Sequence, residues 1–349
     1  MLKHFINLGY EVHTVALKDE FAEKISGIGC KVHFIKFNNR GLNPFADIKL
    51  LISLKKIYKQ TKPDLIFHYT IKLNIYGSIA SSQLKILSVA VITGLGYAFS
   101  SHNWLSVLAI KLYRYALKNV QHVWILNEAD KNILVQKKIV APEKINLLHS
   151  EGINVERFKR TAEKIKTDDF IFLMATRILW SKGVGVFAEA SKILQHKGYK
   201  FKCLVIGLIE QNHPDTIRLK KLTEWQNQNL ISYAGFFEDV VPFLASADCF
   251  VLPSYYNEGV PRSLLEACAM QLPVITTNNH GCKEVVVDNF NGFICEKKNA
   301  EDLALKMEII LLSSTERLKE IGKNGKKLVE EKFNVKQILK QYEDLIKSI

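Results

Sequence analysis

Two glutamates, Glu258 and Glu266, stand eight residues apart in the chain and could hold the hydroxyl groups of a sugar or a ribose. The apolar run 248–252 before them predicts a buried parallel strand, and Pro261 stands where a helix begins. Both carboxylates are therefore expected near the carboxyl end of a strand, where open α/β sheets bind their ligands. The alternative is that both are ordinary exposed charges.

Two cations, Arg177 and Lys182, stand in a second stretch of this kind, T-R-I-L-W-S-K-G-V, which follows the apolar run 170–175. A helix is predicted to begin directly after them. The positive end of its dipole adds to the charge of the two side chains, so the stretch predicts a diphosphate site. Two loop cations without a ligand are the alternative.

The stretch E-G-V-P-R-S-L-L-E resembles the E-x7-E signature of the retaining family 4 glycosyltransferases, which have the two-domain GT-B fold. This resemblance implies that Glu258 lies against the donor sugar and that Glu266 binds the ribose of the nucleotide. It also implies that Gly259, Val260 and Pro261 line the nucleotide-sugar site.

The R-x4-K-G pattern is similar to the cation pair that binds the donor diphosphate in this family. The resemblance implies that Arg177 and Lys182 are catalytic together with Glu258, because charge develops on the departing nucleotide. Gly207 resembles the family glycine that lets the nucleotide approach. The implied reaction retains anomeric configuration, and no cofactor or metal is expected, since the sequence has no D-x-D motif.

Two loops of the N-terminal half, residues 70–74 and 93–96, each follow a predicted strand. Their sequences, H-Y-T-I-K-L-N-I-Y-G and I-T-G-L-G-Y-A-F, resemble a subgroup of family 4 that adds sugars to polyprenyl-diphosphate-linked acceptors for capsule, O-antigen or protein glycans. The subgroup suggests a UDP-linked hexose or hexosamine donor, with UDP-N-acetylgalactosamine first. The implied acceptor side comprises Lys72, Asn74, Thr93, Gly94 and Gly96. The alternative for the two glycines is a requirement of turn geometry alone.

Strands and helices alternate along both halves of the chain, which predicts two Rossmann-like domains with doubly wound parallel sheets. The acceptor-binding domain is expected over residues 1–155 and the nucleotide-sugar domain over 156–332. Residues 333–349 are expected to form a helix that crosses back to the first domain. The chain opens on the end of a helix, where such a domain normally has a strand and a Gly-rich turn. We therefore expect the first strand, and part of the site, to be missing.

The positive charge is concentrated in one half of the chain. Residues 1–160 contain 23 Lys and Arg against 11 Asp and Glu, whereas the remainder contains 25 against 24. A basic face favours an anionic membrane surface, so we expect a cytoplasmic protein that is peripheral on the inner face of the cell membrane. A solvated lysine-rich face is the alternative. The basic residues follow strand and helix periodicity without interleaved aromatic platforms, so nucleic acid is not an expected partner.

The spacing of the cysteines and the lengths of the apolar runs also favour a cytoplasmic protein. The six cysteines form no C-x-x-C pair and lie in apolar contexts, which predicts buried reduced thiols. No apolar run reaches the roughly 18 residues that span a bilayer. The predicted helix 104–117 is expected to pack on the sheet, rather than face lipid, through Leu105, Leu108, Leu112 and Ala116.

Two other classes of protein share these features. A GT-B UDP-sugar epimerase or hydrolase would use the same diphosphate site, but it would need acid and base groups in the first domain that the sequence does not supply. An inactive, truncated, membrane-associated binding protein would share the basic half and the short N-terminus.

Overall fold

The computed structural model describes residues 1–18, 20–37, 43–95, 104–159, 169–256 and 259–349. The chain forms two compact α/β units, one of Met1–Leu148 with Gln341–Ile349 and the other of His149–Lys340. All pairings between the described strands of the two units are parallel. All six cysteines are buried and free, which confirms the prediction from their apolar surroundings. Across the described ranges, no helix is long and apolar enough to cross a membrane.

The first unit contains two separate parallel sheets. Strands β1 and β2 pair with each other, and the remaining strands form a sheet in the order β3-β4-β5-β6. Their bounds are β1 His13–Ala16, β2 Lys31–Phe34, β3 Leu65–Tyr69, β4 Leu87–Ile92, β5 His122–Ile125 and β6 Ile145–Leu147. The helices are α1 Leu2–Asn7, α2 Glu20–Gly27, α3 Pro44–Thr61, α4 Ser78–Gln83, α5 Trp104–Leu117 and α6 Glu128–Gln136, with a π-helix at Leu73–Gly77 and a 3-10 turn at Pro142–Lys144.

Local sequence explains where α3 begins and ends. The side chain of Asn43 accepts hydrogen bonds from the backbone N–H groups of Phe45 and Ala46, and Pro44 occupies the first helical position. Lys62 ends the helix in the left-handed conformation, with its N–H donating to the carbonyl of Tyr58. Helix α3 is therefore anchored at both ends.

Helix α5 packs on the sheet through part of the predicted side. Ala116 is buried and Leu112 is partly buried against the core, as predicted. Leu108 is 44% exposed, so its predicted place in the core is wrong, whereas Tyr113, Ala116 and Leu117 are buried. The packed side also includes Tyr113 and Leu117, whereas Leu108 lies on the exposed side. The side chain of Leu105 lies outside the described set.

The final residues of the chain complete the core of the first unit. Helix α14, Val335–Lys347, carries Tyr342, whose ring centroid lies 4.9 Å from that of Phe67 and 4.5 Å from that of Trp124. The hydroxyl of Tyr342 lies 2.6 Å from that of Tyr69. These contacts cover one face of β3 and β5.

The second unit has one six-stranded parallel sheet in the order β12-β11-β10-β7-β8-β9. Helices on both faces explain why β10 and β11 are buried along their whole length. The strands are β7 Ile171–Ala175, β8 Lys202–Ile206, β9 Ser232–Gly235, β10 Cys249–Leu252, β11 Val274–Thr277 and β12 Gly292–Cys295. The helices are α7 Val184–His196, α8 Leu219–Asn227, α9 Val241–Ser246, α10 Arg262–Ala269, α11 His280–Lys283, α12 Ala300–Leu312 and α13 Thr315–Lys332.

Candidate functional site

The strand order of the second unit reverses between β7 and β10, which are direct neighbours. In a doubly wound sheet, the loops at the carboxyl ends of these two strands splay apart and form the ligand crevice. The loop after β7 carries Arg177 and Lys182, and the connection from β10 to α10 leads to Glu266. The two stretches singled out in the sequence therefore meet at the switch point of one sheet.

The loop after β7 presents Lys182 together with the start of α7. Lys182 ends a 3-10 turn at Trp180–Lys182 and is largely buried, with its Nζ 5.0 Å from the centroid of the Tyr256 ring. Gly183 follows with a φ of 86° and caps α7. A Cβ at Gly183 would lie 2.2 Å from the carbonyl oxygen of Pro253, so only glycine fits there.

Hydrogen bonds hold the loops after β7 and β10 together. The carbonyl oxygen of Ser181 accepts from the N–H groups of Tyr255 and Tyr256 at 2.8 and 3.0 Å. The Asn279 side chain donates to the carbonyl oxygen of Tyr256, and the Thr277 hydroxyl donates to that of Ser254. Sequence reasoning missed Ser181, Thr277 and Asn279, although short polar side chains at strand ends commonly bind backbone groups in this way.

The loop after β8 is also bound to the loop after β7. Asp215 accepts the N–H of Trp180 through its carbonyl oxygen and that of Ser181 through its carboxylate, both at 2.9 Å. Glu210 lies in the same loop, and its Oε1 is 3.1 Å from Nη1 of Arg177. Glu210 and Asp215 were not predicted as site residues, because nothing in their local pattern marks them. In this structure the carboxylate of Glu210 occupies one donor of the predicted diphosphate-binding arginine.

Glu266 lies on α10 with its side chain mostly buried. Burial raises the pKa of its carboxyl group, and Arg262, whose Nε lies 3.0 Å from Oε1, opposes that shift. Pro261 caps α10 and is buried, and Gly259 and Val260 are half-buried just before it. Glu258, predicted to face the donor sugar, lies outside the described residues.

Gly207 ends β8 at a point where two backbones approach closely. Its φ is 150°, and a Cβ there would lie only 1.6 Å from the carbonyl oxygen of Thr176, which follows β7. Its N–H donates to the carbonyl oxygen of Gly235 at 2.8 Å. Glycine is required here by the packing of these strand ends, and contact with a nucleotide stays a prediction.

The predicted acceptor-side residues lie at the carboxyl edge of the sheet in the first unit, after the neighbouring strands β3 and β4. Asn74 is buried in the π-helix, and its Nδ2 donates to the carbonyl oxygen of Val91 at 3.0 Å. Thr93 and Gly94 follow β4, with Gly94 at a φ of 153°. Gly96 lies outside the described residues. The two predicted loops are thus side by side.

Lys72 is neutralised within the first unit. Its Nζ lies 2.5 Å from Oδ1 of Asp47 in the first turn of α3, and the hydroxyl of Tyr76 donates to Oδ2 of Asp47 at 2.9 Å. The side chains of Lys72 and Asp47 are only 10% and 14% exposed. The observed contacts of Lys72 therefore fasten the loop after β3 to α3.

His68, in β3, is a buried residue with a structural role. Its Nε2 lies 3.1 Å from the hydroxyl of Tyr58, and its Nδ1 lies 3.3 Å from that of Ser78. Burial lowers the pKa of His68 to about 3. The imidazole is therefore neutral near pH 7.

A different family model matches the sequence of each unit. Residues 1–127 match the family described as glycosyl transferase 4-like, and residues 155–328 match glycosyl transferases group 1. The chain belongs to the family 4 glycosyltransferases, as the E-x7-E stretch predicted.

Several named proteins resemble the chain over most of its length. One is the N,N'-diacetylbacillosaminyl-diphospho-undecaprenol alpha-1,3-N-acetylgalactosaminyltransferase of Campylobacter jejuni, 29% identical over 97% of this chain and 92% of the relative. Another is the capsular polysaccharide biosynthesis glycosyltransferase CapM of Staphylococcus aureus, 29% identical over 88% of this chain and 82% of the relative. A third is the UDP-Gal:alpha-D-GlcNAc-diphosphoundecaprenol alpha-1,3-galactosyltransferase of Escherichia coli, 26% identical over 90% of this chain and 83% of the relative.

Solved structures share the fold. A glycosyltransferase from Rickettsia africae superposes with a TM-score of 0.81 at 22% identity, over 99% of this chain and 92% of that one. Anabaena HepE in complex with UDP-glucose superposes with a TM-score of 0.79 at 19% identity, over 97% of this chain and 92% of that one. The two Rossmann-like domains predicted from the alternation of strands and helices, and the GT-B fold that the family resemblance implied, are both confirmed.

Proposed function

We propose that this protein transfers a hexose or N-acetylhexosamine from a UDP-sugar to a polyprenyl-diphosphate-linked saccharide in capsule, O-antigen or glycoprotein glycan synthesis. The proposal depends on one observation. The loop after β7, with its two cations, and the segment from β10 to Glu266 lie together at the switch point of the sheet. The names of the relatives support the acceptor class, since two of them specify a diphospho-undecaprenol sugar.

UDP-N-acetylgalactosamine is the first donor to test. The C. jejuni relative is named as an N-acetylgalactosaminyltransferase, and the E. coli relative is named for UDP-Gal. Both names specify a sugar of the galactose series, in agreement with the donor class that the sequence suggested.

Departure of the nucleotide is the step that the site of the second unit would assist. Negative charge grows on the diphosphate as the bond from the anomeric carbon to the phosphate oxygen breaks. Arg177, Lys182 and the N-terminus of α7 supply positive charge for that group, and preorganised charge stabilises a transition state most where charge develops. Glu266 would accept hydrogen bonds from the ribose hydroxyls.

The anomeric configuration is retained if the acceptor oxygen attacks the anomeric carbon on the same face from which the diphosphate departs. In this reaction the acceptor hydroxyl forms the new bond to the anomeric carbon, and its proton passes to the departing phosphate oxygen. No separate protein base is needed, and no metal takes part in this proposal. Glu258 would lie against the sugar, as the family resemblance implies.

Nucleotide binding and transfer can be tested on the same protein. We expect the melting temperature to rise with UDP and with UDP-N-acetylgalactosamine more than with GDP-mannose, because a ligand that binds only the folded state stabilises it. Lys182→Met should lower the rate of transfer to a diphospho-undecaprenol-linked sugar by about 100-fold or more, as the loss of a charge at the leaving group does.

The control is Lys192→Met on the same helix, α7. Lys192 pairs with Glu189 on the solvent side, so this variant should retain wild-type transfer. Wild-type transfer by Lys182→Met, or a melting temperature that no nucleotide changes, would contradict the proposed function. Release of UDP that does not require the lipid-linked acceptor would favour the hydrolase or epimerase alternative.

A further inference from the structure

Helix α3 is apolar on two opposite sides. One side is buried in the core of the first unit and contains Leu50, Leu54 and Tyr58. The other exposes three large apolar side chains spaced i, i+3 and i+7, which are 83%, 55% and 62% exposed: Phe45, Ile48 and Ile52. Single exposed apolar residues are common on protein surfaces, but a row of three on one helical side marks an interaction surface.

Lysines continue this row toward the C-terminal end of the helix. At 3.6 residues per turn, Lys49, Lys56 and Lys59 fall on the same side as Phe45, and all three are exposed. The helix contains one acidic residue, Asp47, which lies on the other side in its ion pair with Lys72. The exposed side of α3 therefore carries the apolar row with Lys49 beside it in the first half, and Lys56 and Lys59 in the second half.

We propose that this side of α3 is the surface by which the first unit rests on an anionic lipid bilayer. Phe45, Ile48 and Ile52 would enter the boundary between headgroups and acyl chains, and the lysines would lie among the phosphates. Lysines near such a surface are attracted to its anionic headgroups. A nucleic-acid backbone would attract the lysines but gives no apolar environment to the three apolar side chains.

The wider charge distribution agrees with this partner. Between residues 41 and 127 the chain has ten Lys and Arg but only two acidic residues, Asp47 and Asp64. Asp47 is neutralised by Lys72, so it adds no net repulsion toward anionic lipid. The part of the chain that contains the apolar row is thus strongly cationic.

The surface is linked to the predicted acceptor side through contacts within the first unit. Asp47, in the first turn of α3, binds Lys72 and Tyr76 of the segment after β3. With α3 lying on the headgroups, this segment would stand about one helix diameter, roughly 10 Å, above them. That distance suits an acceptor whose lipid is in the bilayer and whose diphosphate is at its surface. This part of the inference rests on the proposed function.

Vesicle co-sedimentation tests the surface directly. The full chain should bind phosphatidylglycerol-containing vesicles more tightly than phosphatidylcholine vesicles, and added salt should weaken the binding. Two triple variants, Phe45→Ser with Ile48→Ser and Ile52→Ser, and Lys49→Gln with Lys56→Gln and Lys59→Gln, should each weaken binding by about tenfold or more.

A matched control changes exposed leucines of the second unit, Leu219→Ser with Leu305→Ser and Leu312→Ser. This variant should bind anionic vesicles as tightly as the wild type. The shift of melting temperature by UDP should be unchanged in all three variants. A variant that loses vesicle binding but keeps the UDP-induced shift of melting temperature has lost the lipid-binding surface and not the donor site. The two failures are therefore distinguishable.

Wild-type vesicle binding by the apolar triple variant would overturn the proposal. Binding of single-stranded nucleic acid that the lysine variant loses, with no vesicle binding by the wild type, would overturn it as well. The substituted side chains are exposed, so we expect the variants to fold. If the triple variant does not fold, Phe45→Ser alone removes the most exposed apolar side chain and should weaken binding severalfold.

Discussion

The carboxyl edges of the two units use their cations differently. In the second unit, Arg177 and Lys182 lie on one loop, which is hydrogen-bonded to the neighbouring loops and leads into a long helix. In the first unit, Lys72 is buried against Asp47 and fastens a loop to α3. The loop of the second unit is therefore suited to binding an anionic ligand from solution. Lys72 of the first unit is instead neutralised by a carboxylate of the same unit.

Burial distinguishes Lys72 from Arg177, whose side chain is 36% exposed, whereas Lys182 is as buried as Lys72. A buried cation must have a counter-ion, because removal from water costs several kcal/mol. Lys72 and Asp47 are both mostly buried and hold each other with a third contact from Tyr76. The pair of Arg177 with Glu210 is more exposed, so a diphosphate can replace the carboxylate at low cost.

The largest expected effect comes from breaking the buried pair. Lys72→Met leaves the carboxylate of Asp47 buried, with Tyr76 as its remaining side-chain partner among the described residues. It should lower the free energy of unfolding of the first unit by about 3–5 kcal/mol. Hydrogen exchange of the β3 and β4 peptides measures this loss in the first unit alone.

Two control variants sharpen this test. Adding Asp47→Asn to Lys72→Met removes the unpaired charge and should recover much of the protection. Lys49→Met, on the exposed side of α3, should leave protection unchanged. Protection in Lys72→Met equal to that of the wild type would mean that the pair does not hold the first unit together.

Acid should weaken the first unit through His68. Its pKa is about 3 in the folded protein against 6.5 for the ordinary group, so the unfolded chain takes up a proton that the folded one does not. The stabilisation is fully present above pH 6.5 and is lost as the pH falls toward 3. Between pH 7 and pH 5 the loss should be about 2 kcal/mol.

The variant His68→Gln isolates this contribution. It should be less stable than the wild type at pH 7, but its free energy of unfolding should fall less between pH 7 and pH 5, as urea titrations at both values measure. Equal pH dependence of the two proteins would show that His68 is not the group that titrates.

The smallest expected effect is at the partly exposed pair of the second unit. Glu210→Gln releases Arg177 from a competing carboxylate, so the dissociation constant for UDP should fall a fewfold, within about 1 kcal/mol. Glu224→Gln, which breaks the exposed pair with Lys221 on α8, should leave UDP binding unchanged. Weaker UDP binding by Glu210→Gln would instead make Glu210 a support for Arg177.

Much of the fold was predictable from local pattern. The starts of α3 and α10 follow from Asn43–Pro44 and Pro261, and the apolar runs before Arg177 and Glu266 correctly predicted buried strands. The packed side of α5 was only partly predictable, because Tyr113 and Leu117 enter the core and Leu108 does not. Periodicity alone does not show which side of a largely apolar helix meets the sheet.

By itself, the sequence determined the class of protein and the stretches that carry its chemistry, because short strands, Gly turns and cations before a helix are local features. Tertiary structure alone decided which of these residues have partners. It placed Glu210 on Arg177, Asp215 on Ser181 and Asp47 on Lys72. Residues 25 to 34 positions apart in the chain form these contacts, so their energies depend on burial and distance, which no local pattern contains.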